Sequence, residues 1–388
     1  MDNRKHGTPA VGSDVATVYA AIELSRKDWL AAVQTPRQER PGRHKLAGGD
    51  ARGLWAVIDR ERAALRRAGW SQVRVVTCYE AGRDGFWLHR FLVGREAESW
   101  VVDPGSILVN RRARRAKSDG LDVEGLLRLV IRYDAGDRHH CRMVAVPSMA
   151  EEDARRPGRE RLRLLSERTA HSNRIQGLLA THGVSGYLPL RADRWVELAK
   201  RRCADKQPLP AQLREEIERE LHRLEFVNAQ IAAVEKRRAA AVAAAAVEDA
   251  GARRVKALLR LRGFGPEFSN LLVREVYYRQ FANRRKVGSY VGLAPSPYRS
   301  GQLDHEQGIA KAGNRRARSA AIELAWLWLR HQPESALTRW FYARLAGAKN
   351  GRLKRILIVA LARKLVVALW RYLTVGLLPE GARLKPTS

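Results

Sequence analysis

"TVYAAIELSRKDWLAAVQ" (Thr17–Gln34) decides how the amino-terminal part of the chain folds. Its first half alternates apolar residues and is rich in strand formers. Its second half, "DWLAAVQ", follows after a short polar turn, as in a β-hairpin. Outward from there, "LWAVIDRERAALRRAG" (Leu54–Gly69) has helical period and stops at a glycine. "VRVVTCYE" (Val73–Glu80) is a short apolar run suited to a buried strand. "FWLHRFLV" (Phe86–Val93) predicts a helix, "SWVVD" (Ser99–Asp103) a strand and "GLDVEGLLRLVIRY" (Gly120–Tyr133) a helix. The order strand, strand, helix, strand, helix, strand, helix predicts an α/β layer fold over residues 1–148.

Beyond it the composition changes. Residues 149–248 form a charged helical zone. "RERLRLLSERTAHSNRIQGLLATHGV" (Arg159–Val184) and "QLREEIERELHRLEFVNAQIAAVEKRRAAAVAAAAV" (Gln212–Val247) carry apolar residues near three-four spacing, with charges of both signs on the other faces. Long charged helices of this kind pair as coiled coils or arm-like hairpins. Residues 249–388 form a third, mainly helical zone. "ALLRLRGFGPEFSNLLVREV" (Ala257–Val276) has the pattern of a helix-hairpin-helix. Amides around its Gly263 and Gly265 could bind a DNA backbone phosphate without reading sequence. An ordinary helical hairpin with a glycine turn fits equally well. "FANRRKVGSYVGLAPSPYRSG" (Phe281–Gly301) is expected to be loop-rich. Trp326, Trp328, Trp340 and Phe341 fall on an apolar helical face and are read as core rather than as base-stacking platforms.

Charge narrows the function. The 388 residues hold 72 Lys+Arg against 41 Asp+Glu, a net charge of +31 spread along the chain. Such an excess opposes compaction and is compensated by a polyanionic partner, whose condensed counterions are released on binding. A membrane role is disfavoured: "ILIVALARKLVVALW" (Ile356–Trp370) is the most apolar run, and Arg363 and Lys364 interrupt it. Cys78, Cys141 and Cys203 have no metal-type spacing and fit a reducing, intracellular setting.

Four acids stand where chemistry would want them. Glu23 and Glu80 end apolar strands, where a carboxylate needs a partner. Asp119 and Asp122 lie three apart at a helix start and share one face. Together they could converge on Mg²⁺, which prefers oxygen ligands and can clamp the oxygens of phosphoryl transfer. Taken singly, each also reads as a solvated strand end, a helix cap or a first-turn acid. A dense basic run, Arg111, Arg112, Arg114, Arg115 and Lys117, sits just ahead of the aspartates. It could lead a phosphate backbone toward them.

"SYVGLAPSPYRSG…GIAKAGNRRAR" (Ser289–Gly301 and Gly308–Arg318) and the four acids carry a resemblance. They are similar to the insertion-sequence family 110 transposases, serine-containing DEDD enzymes also called bridge-RNA-guided recombinases. The likeness runs through nearly the whole chain. It implies an α/β plus all-α architecture: an RNase H-like, Holliday-junction-resolvase-like domain at 1–148, a helical coiled-coil arm at 149–248, and a helical transposase domain with helix-hairpin-helix at 249–388. Glu80, Asp119 and Asp122 match the family's acids, and Ser300 matches its catalytic serine. Glu23 stands where the family has aspartate, so its carboxylate sits about 1 Å off, a displacement that can cost about 10²-fold in rate.

The resemblance implies that Ser300 attacks a DNA phosphodiester to give a phosphoserine link, with Glu23, Glu80, Asp119 and Asp122 holding Mg²⁺ or Mn²⁺. Gly301 would let the backbone approach the phosphate. Lys311, Arg315, Arg316 and Arg318 would neutralise developing charge. His305, five residues on, is a less favoured base. Partners implied are double-stranded donor and target DNA and a structured non-coding guide RNA, with a homo-dimer or homo-tetramer in a prokaryotic, nucleoid-associated cytoplasmic setting. Two other readings stay open at this stage. One is a binding protein silenced by Glu23; the other is a metal-dependent junction nuclease in which Ser300 is only a turn.

Overall fold

The computed structural model describes residues 15–107, 119–246, 248–300, 303–346 and 351–386, with the backbone alone at 119, 297–300 and 303–307. The chain divides into two compact units, Met1–Val146 and Pro147–Ser388.

The first unit is built on a five-stranded sheet of order β3-β2-β1-β4-β5. Its strands are β1 (Val15–Leu24), β2 (Asp28–Gln34), β3 (Gly42–Ala47), β4 (Gln72–Glu80) and β5 (Glu98–Val102). β1 and β2 form the expected antiparallel hairpin. β4 runs parallel to β1, and β5 parallel to β4. Sequence patterning missed β3. Its "GRHKLA" alternates half-buried with exposed positions and buries none, as a charged edge strand does.

Both faces of this sheet are covered. Val18, Ala20, Ile22, Val75 and Tyr79 pack beneath α1 (Ala51–Arg67) and α2 (Trp87–Val93) through Leu54, Ile58, Leu88 and Leu92. On the other face Ala21, Val76 and Cys78 meet Val123, Leu127 and Val130 of α3 (Asp119–Asp134). Strict alternation therefore assigns each strand residue to one helix layer or the other.

The second unit opens with a capping box at Ser148 and Glu151 that starts the short α4 (Met149–Asp153). α5 (Arg156–Ala180) and α7 (Ala211–Ala244) then form a long antiparallel hairpin, with α6 (Arg194–Lys200) in the connection. Ile175, Leu179, Ile217, Leu221 and Leu224 make its seam. The Arg161–Glu235 and Arg174–Glu216 ion pairs and the His171–Glu220 hydrogen bond fix its register. Part of the mixed charge on this arm is thus paired within the hairpin.

The rest of the unit packs α8 (Ala250–Leu259), α9 (Pro266–Leu272), α10 (Arg284–Tyr290), α11 (Arg315–His331), α12 (Ala336–Leu345) and α13 (Gly351–Val375) around one core. Trp328 and Phe341 belong to that core, as expected, while Trp326 is 40% exposed and Trp340 half-buried. Within the stretch expected to be loop-rich, Phe281–Gly301, lie α10 and the strand β6 (Pro295–Ser300), which pairs antiparallel with β7 (Leu303–Ile309) just beyond it. Two prolines and polar side chains hide its strand character, and pairing across the short connection supplies it. A bulge between Pro295 and Pro297 accommodates the missing donors.

The root of that hairpin is locked backbone to backbone. Ala310 N donates to Ala294 O, Lys311 N to Gly292 O, and Asn314 N to Tyr290 O. Gly292 (φ +70°) and Gly313 (φ +100°) make the approach possible. A Cβ at Gly292 would strike the Ala312 carbonyl, and one at Gly313 the Tyr290 carbonyl. Gly313→Ala is expected to destabilise the second unit by about 2 kcal/mol or more, from the left-handed conformation plus the clash. Gly177→Ala, inside α5 with open space around it, is expected to gain about 0.5–1 kcal/mol. Thermal unfolding of the two variants beside wild type checks both signs.

Candidate active site

Strand register brings the first two acids together. Ile22 lies beside Tyr79 in the parallel β1–β4 pair, so Glu23 and Glu80 occupy the next, adjoining positions at the carboxyl ends of neighbouring strands. Side-chain alternation puts both on the face that α3 covers, since Ala21 and Cys78, two residues earlier, pack against that helix. Glu23 is half-buried and Glu80 exposed.

α3 runs opposite to these strands. Near its carboxyl end Asp134 accepts from the Tyr19 hydroxyl (2.6 Å) and pairs with Arg74 (3.2 Å). Burial first, then the Asp134 hydrogen bond, push the Tyr19 hydroxyl up to about 12, so it stays a neutral donor. Midway along, Cys78 Sγ lies 3.7 Å from Leu126 O. Asp122 is one turn before Leu126, about 6 Å along the helix. Glu80 is two residues beyond Cys78, about 6.6 Å along the strand. Asp122 is therefore level with the strand-end glutamates, on the helical stripe shared with Leu126, and it is exposed. The amino end of α3, where unpaired N–H groups favour negative charge, lies toward the same end of the sheet.

Glu23, Glu80 and Asp122 are thus drawn to one end of one face. Asp119 contributes a backbone position one turn earlier; its side chain lies outside the described residues. Among the described residues no three His, Cys, Asp or Glu side chains stand close enough together to hold a metal ion. The donor chemistry nonetheless suits a hard divalent cation, because every member is a carboxylate. Arg111, Arg112, Arg114, Arg115 and Lys117 lie outside the described residues.

In the second unit Ser300 is the last residue of β6, paired with Leu303 across the hairpin tip. Its side chain, with those of Asp304 and His305, lies outside the described residues, as does Gly301. Of the four cations expected to follow it, Lys311, Arg315 and Arg316 are exposed. Arg318 is half-buried and donates to Lys311 O (2.7 Å), bracing the hairpin root.

The two glycines in the turn between α8 and α9 differ. Gly263 has φ +85°, and a Cβ there would come 2.7 Å from His331 Cβ, so packing alone demands glycine. Gly265 caps α9 with open space around it. Turn carbonyls of Arg262 and Phe264 accept from Gln332 Nε2 (2.9 Å) and Lys385 Nζ (2.8 Å).

Sequence patterning missed the residues that hold the hairpin root in place. Glu275 sits in a π-helical turn (Val273–Tyr277) that continues α9. Its carboxylate accepts from Arg159 Nε (2.8 Å) and Asn314 Nδ2 (3.0 Å). Asn314 is also the N-cap of α11, its Oδ1 accepting from Ala317 N. Burial would raise the Glu275 carboxyl, but the hydrogen bonds from Arg159 and Asn314 outweigh it and leave its pKa lowered. The signal lay in "GNRRAR", where asparagine precedes a helical run; its partner Glu275, 39 residues earlier, had no local signal.

The model of the "Transposase IS116/IS110/IS902 family" matches residues 255–340, from within α8 to within α12 and across the Ser300 hairpin. The chain is 46% identical over 99% of its length, and 98% of the relative's, to "Putative transposase y4rJ" of Sinorhizobium fredii. It is 28% identical to "Probable family 20 transposase" of Pseudomonas aeruginosa, over 66% of this chain and 72% of that one. To "Putative transposase y4qE" of Sinorhizobium fredii it is 26% identical, over 81% and 73% of the two chains.

Because the Glu275 pKa is depressed, its stabilisation is complete above its ordinary value of 4.5 and is lost as pH falls through the folded value. Glu275→Gln is expected to cost about 1–3 kcal/mol at pH 7, less than a fully buried pair, because Arg159 is 41% exposed and can be hydrated. The gap between variant and wild type should shrink as pH drops below about 4.5. Chemical denaturation at pH 7, 5 and 3.5 reads it.

Proposed function

The chain belongs to the transposase IS116/IS110/IS902 family, and from that premise we propose that it cuts and rejoins DNA with Ser300 as nucleophile and Glu23, Glu80, Asp119 and Asp122 as a divalent-metal site. The observation that carries this reading is the register of β1 and β4, which sets Glu23 beside Glu80 on the face where α3 brings Asp122 level with them. The strand order β3-β2-β1-β4-β5 with acids at the ends of the parallel strands supports an RNase H-like reading of the first unit.

In this reading the Ser300 hydroxyl gives up its proton to solvent as Oγ bonds phosphorus, the bond from phosphorus to a deoxyribose oxygen breaks, and that leaving oxygen takes up a proton. Mg²⁺ or Mn²⁺, when bound by the carboxylates, would supply charge stabilisation at the phosphate. Lys311, Arg315 and Arg316, exposed at and beyond the hairpin root, neutralise charge that develops on the phosphoryl oxygens. The cations Arg111, Arg112, Arg114, Arg115 and Lys117, with the amides around Gly263 and Gly265, grip DNA backbone. Base pairing with a structured guide RNA selects donor and target, and the net charge of +31 supports a partner with many phosphates. A dimer or tetramer brings two DNA duplexes to one reaction.

The test is a denaturing gel for a covalent protein–DNA adduct. It uses full-length protein, the non-coding RNA flanking its gene, labelled donor and target DNA, and Mg²⁺. Wild type is expected to form the adduct and Ser300→Ala none. Asp122→Ala and Glu80→Gln should lose it, as should chelation of the metal. Glu23→Asp, which moves a carboxylate by about 1 Å, is expected to change the rate by up to about 10²-fold. Cuts without adduct that persist in Ser300→Ala would make the chain a metal nuclease. Intact DNA binding with no adduct, even in Glu23→Asp, would make it a silenced binder.

A further inference from the structure

The second unit holds a groove of about 1320 Å³ beside the root of the Ser300 hairpin. Its lining is strongly one-signed. α13 contributes Arg352, Arg355, Arg363, Lys364 and Arg371. Arg284 and Arg285 at the start of α10 and Lys311 add three more cations. Among the described lining residues Glu380 alone is acidic, and Arg339 answers it at 3.3 Å. This contrasts with the α5–α7 arm, where carboxylates of the same hairpin pair with half of the cations.

The source of the asymmetry is α13. Its 25 residues carry six cations and no acid. One face, with Leu357, Leu361, Leu365 and Leu369, is buried in the core. Arg355, Val359, Arg363, Val367 and Arg371, each four residues on, form a second ridge that lines the groove. That ridge is about 24 Å long, most of a turn of duplex DNA at about 34 Å. At the far wall stand Pro295, Gly308 and Ile309, which belong to the root of β6 and β7.

We propose that this groove is the track for duplex DNA flanking the bond that Ser300 attacks, held through its phosphates. The proposal rests on the reading of Ser300 given above and adds the path by which DNA reaches it. Three observations select duplex. The cations stand in a row along a helix, as phosphate contacts require. Among the described residues the lining has no aromatic side chain of the kind that holds single strands by stacking. Val359 and Val367, between the arginines on this ridge, give apolar surface along which arginine stems can lie. Sequence reading by the groove is not expected, because phosphate contacts position without specifying.

The test uses the full-length protein and fluorescence anisotropy with duplex DNA, single-stranded DNA and duplex RNA of equal length, across a salt series. The variant is Arg355→Ala/Arg363→Ala/Arg371→Ala. The control, Arg40→Ala/Arg66→Ala/Arg67→Ala, removes the same charge from the first unit. Melting temperature and a conservative Arg355→Lys/Arg363→Lys/Arg371→Lys variant guard against misfolding. The alanine variant is expected to bind duplex DNA at least about tenfold more weakly. Its slope of log K against log salt should be shallower by about 2–3. The control and the lysine variant should stay near wild type. Equal losses in groove and control variants would mean general charge, not a track. Loss of duplex RNA binding with DNA binding intact would overturn the DNA assignment. Wild-type DNA binding by the alanine variant would end the proposal outright.

Ser300→Ala separates the two ideas. It is expected to bind duplex DNA like wild type while forming no adduct. If it forms the adduct, the serine reading fails whatever the groove does. If adduct formation depends on Ser300 and the groove variant still binds normally, the reaction stands and the track falls.

Discussion

Asn314 is the joint on which the second unit's candidate chemistry depends. Its backbone N donates to Tyr290 O, its Oδ1 caps α11, and its Nδ2 donates to the buried Glu275 carboxylate. One residue thereby ties the exit of the Ser300 hairpin to the start of a core helix and to the helical arm through Arg159. A buried carboxylate tolerates no loss of partners, because desolvation would then go uncompensated. The position of the hairpin root is therefore set by electrostatics as well as by packing. Gly292 and Gly313 complete the joint, since only a residue without Cβ lets the two chain segments touch.

The first unit reaches its arrangement by other means. There the constraint is strand parity. Because successive side chains alternate, the same register that buries Ala21 and Cys78 under α3 sends Glu23 and Glu80 toward that helix's amino end. Asp134, paired with Tyr19 and Arg74, holds the opposite end of α3. The acids are thus displayed by a rigid sheet and an anchored helix, which is how a site needing oxygens placed to within an ångström is best supported.

Charge is distributed to match these two designs. On the α5–α7 arm acids and bases are interleaved and many pair across or along the helices, which suits a structural hairpin. Along α13 the acids are missing altogether, and part of the chain's excess positive charge lines a groove. Net charge alone says only that a polyanion is near. The local imbalance says where.

The sequence by itself determined the α/β character of the first unit, the long charged hairpin, the four acids and the serine. Those signals are local: alternation in "TVYAAIEL", helical period in the arm, and a family-like run around Ser300 and Asn314. It did not determine β3, whose charged alternation is stable only against β2, nor β6 and β7, whose strand character depends on each other. The neighbours of Glu23 and Glu275 were equally out of reach. Glu23 meets Glu80 because two strands 57 residues apart pair in one register, and Glu275 meets Arg159 across 116 residues. Register and burial are properties of the packed chain. Local pattern named the candidate groups, and tertiary pairing decided which of them stand together.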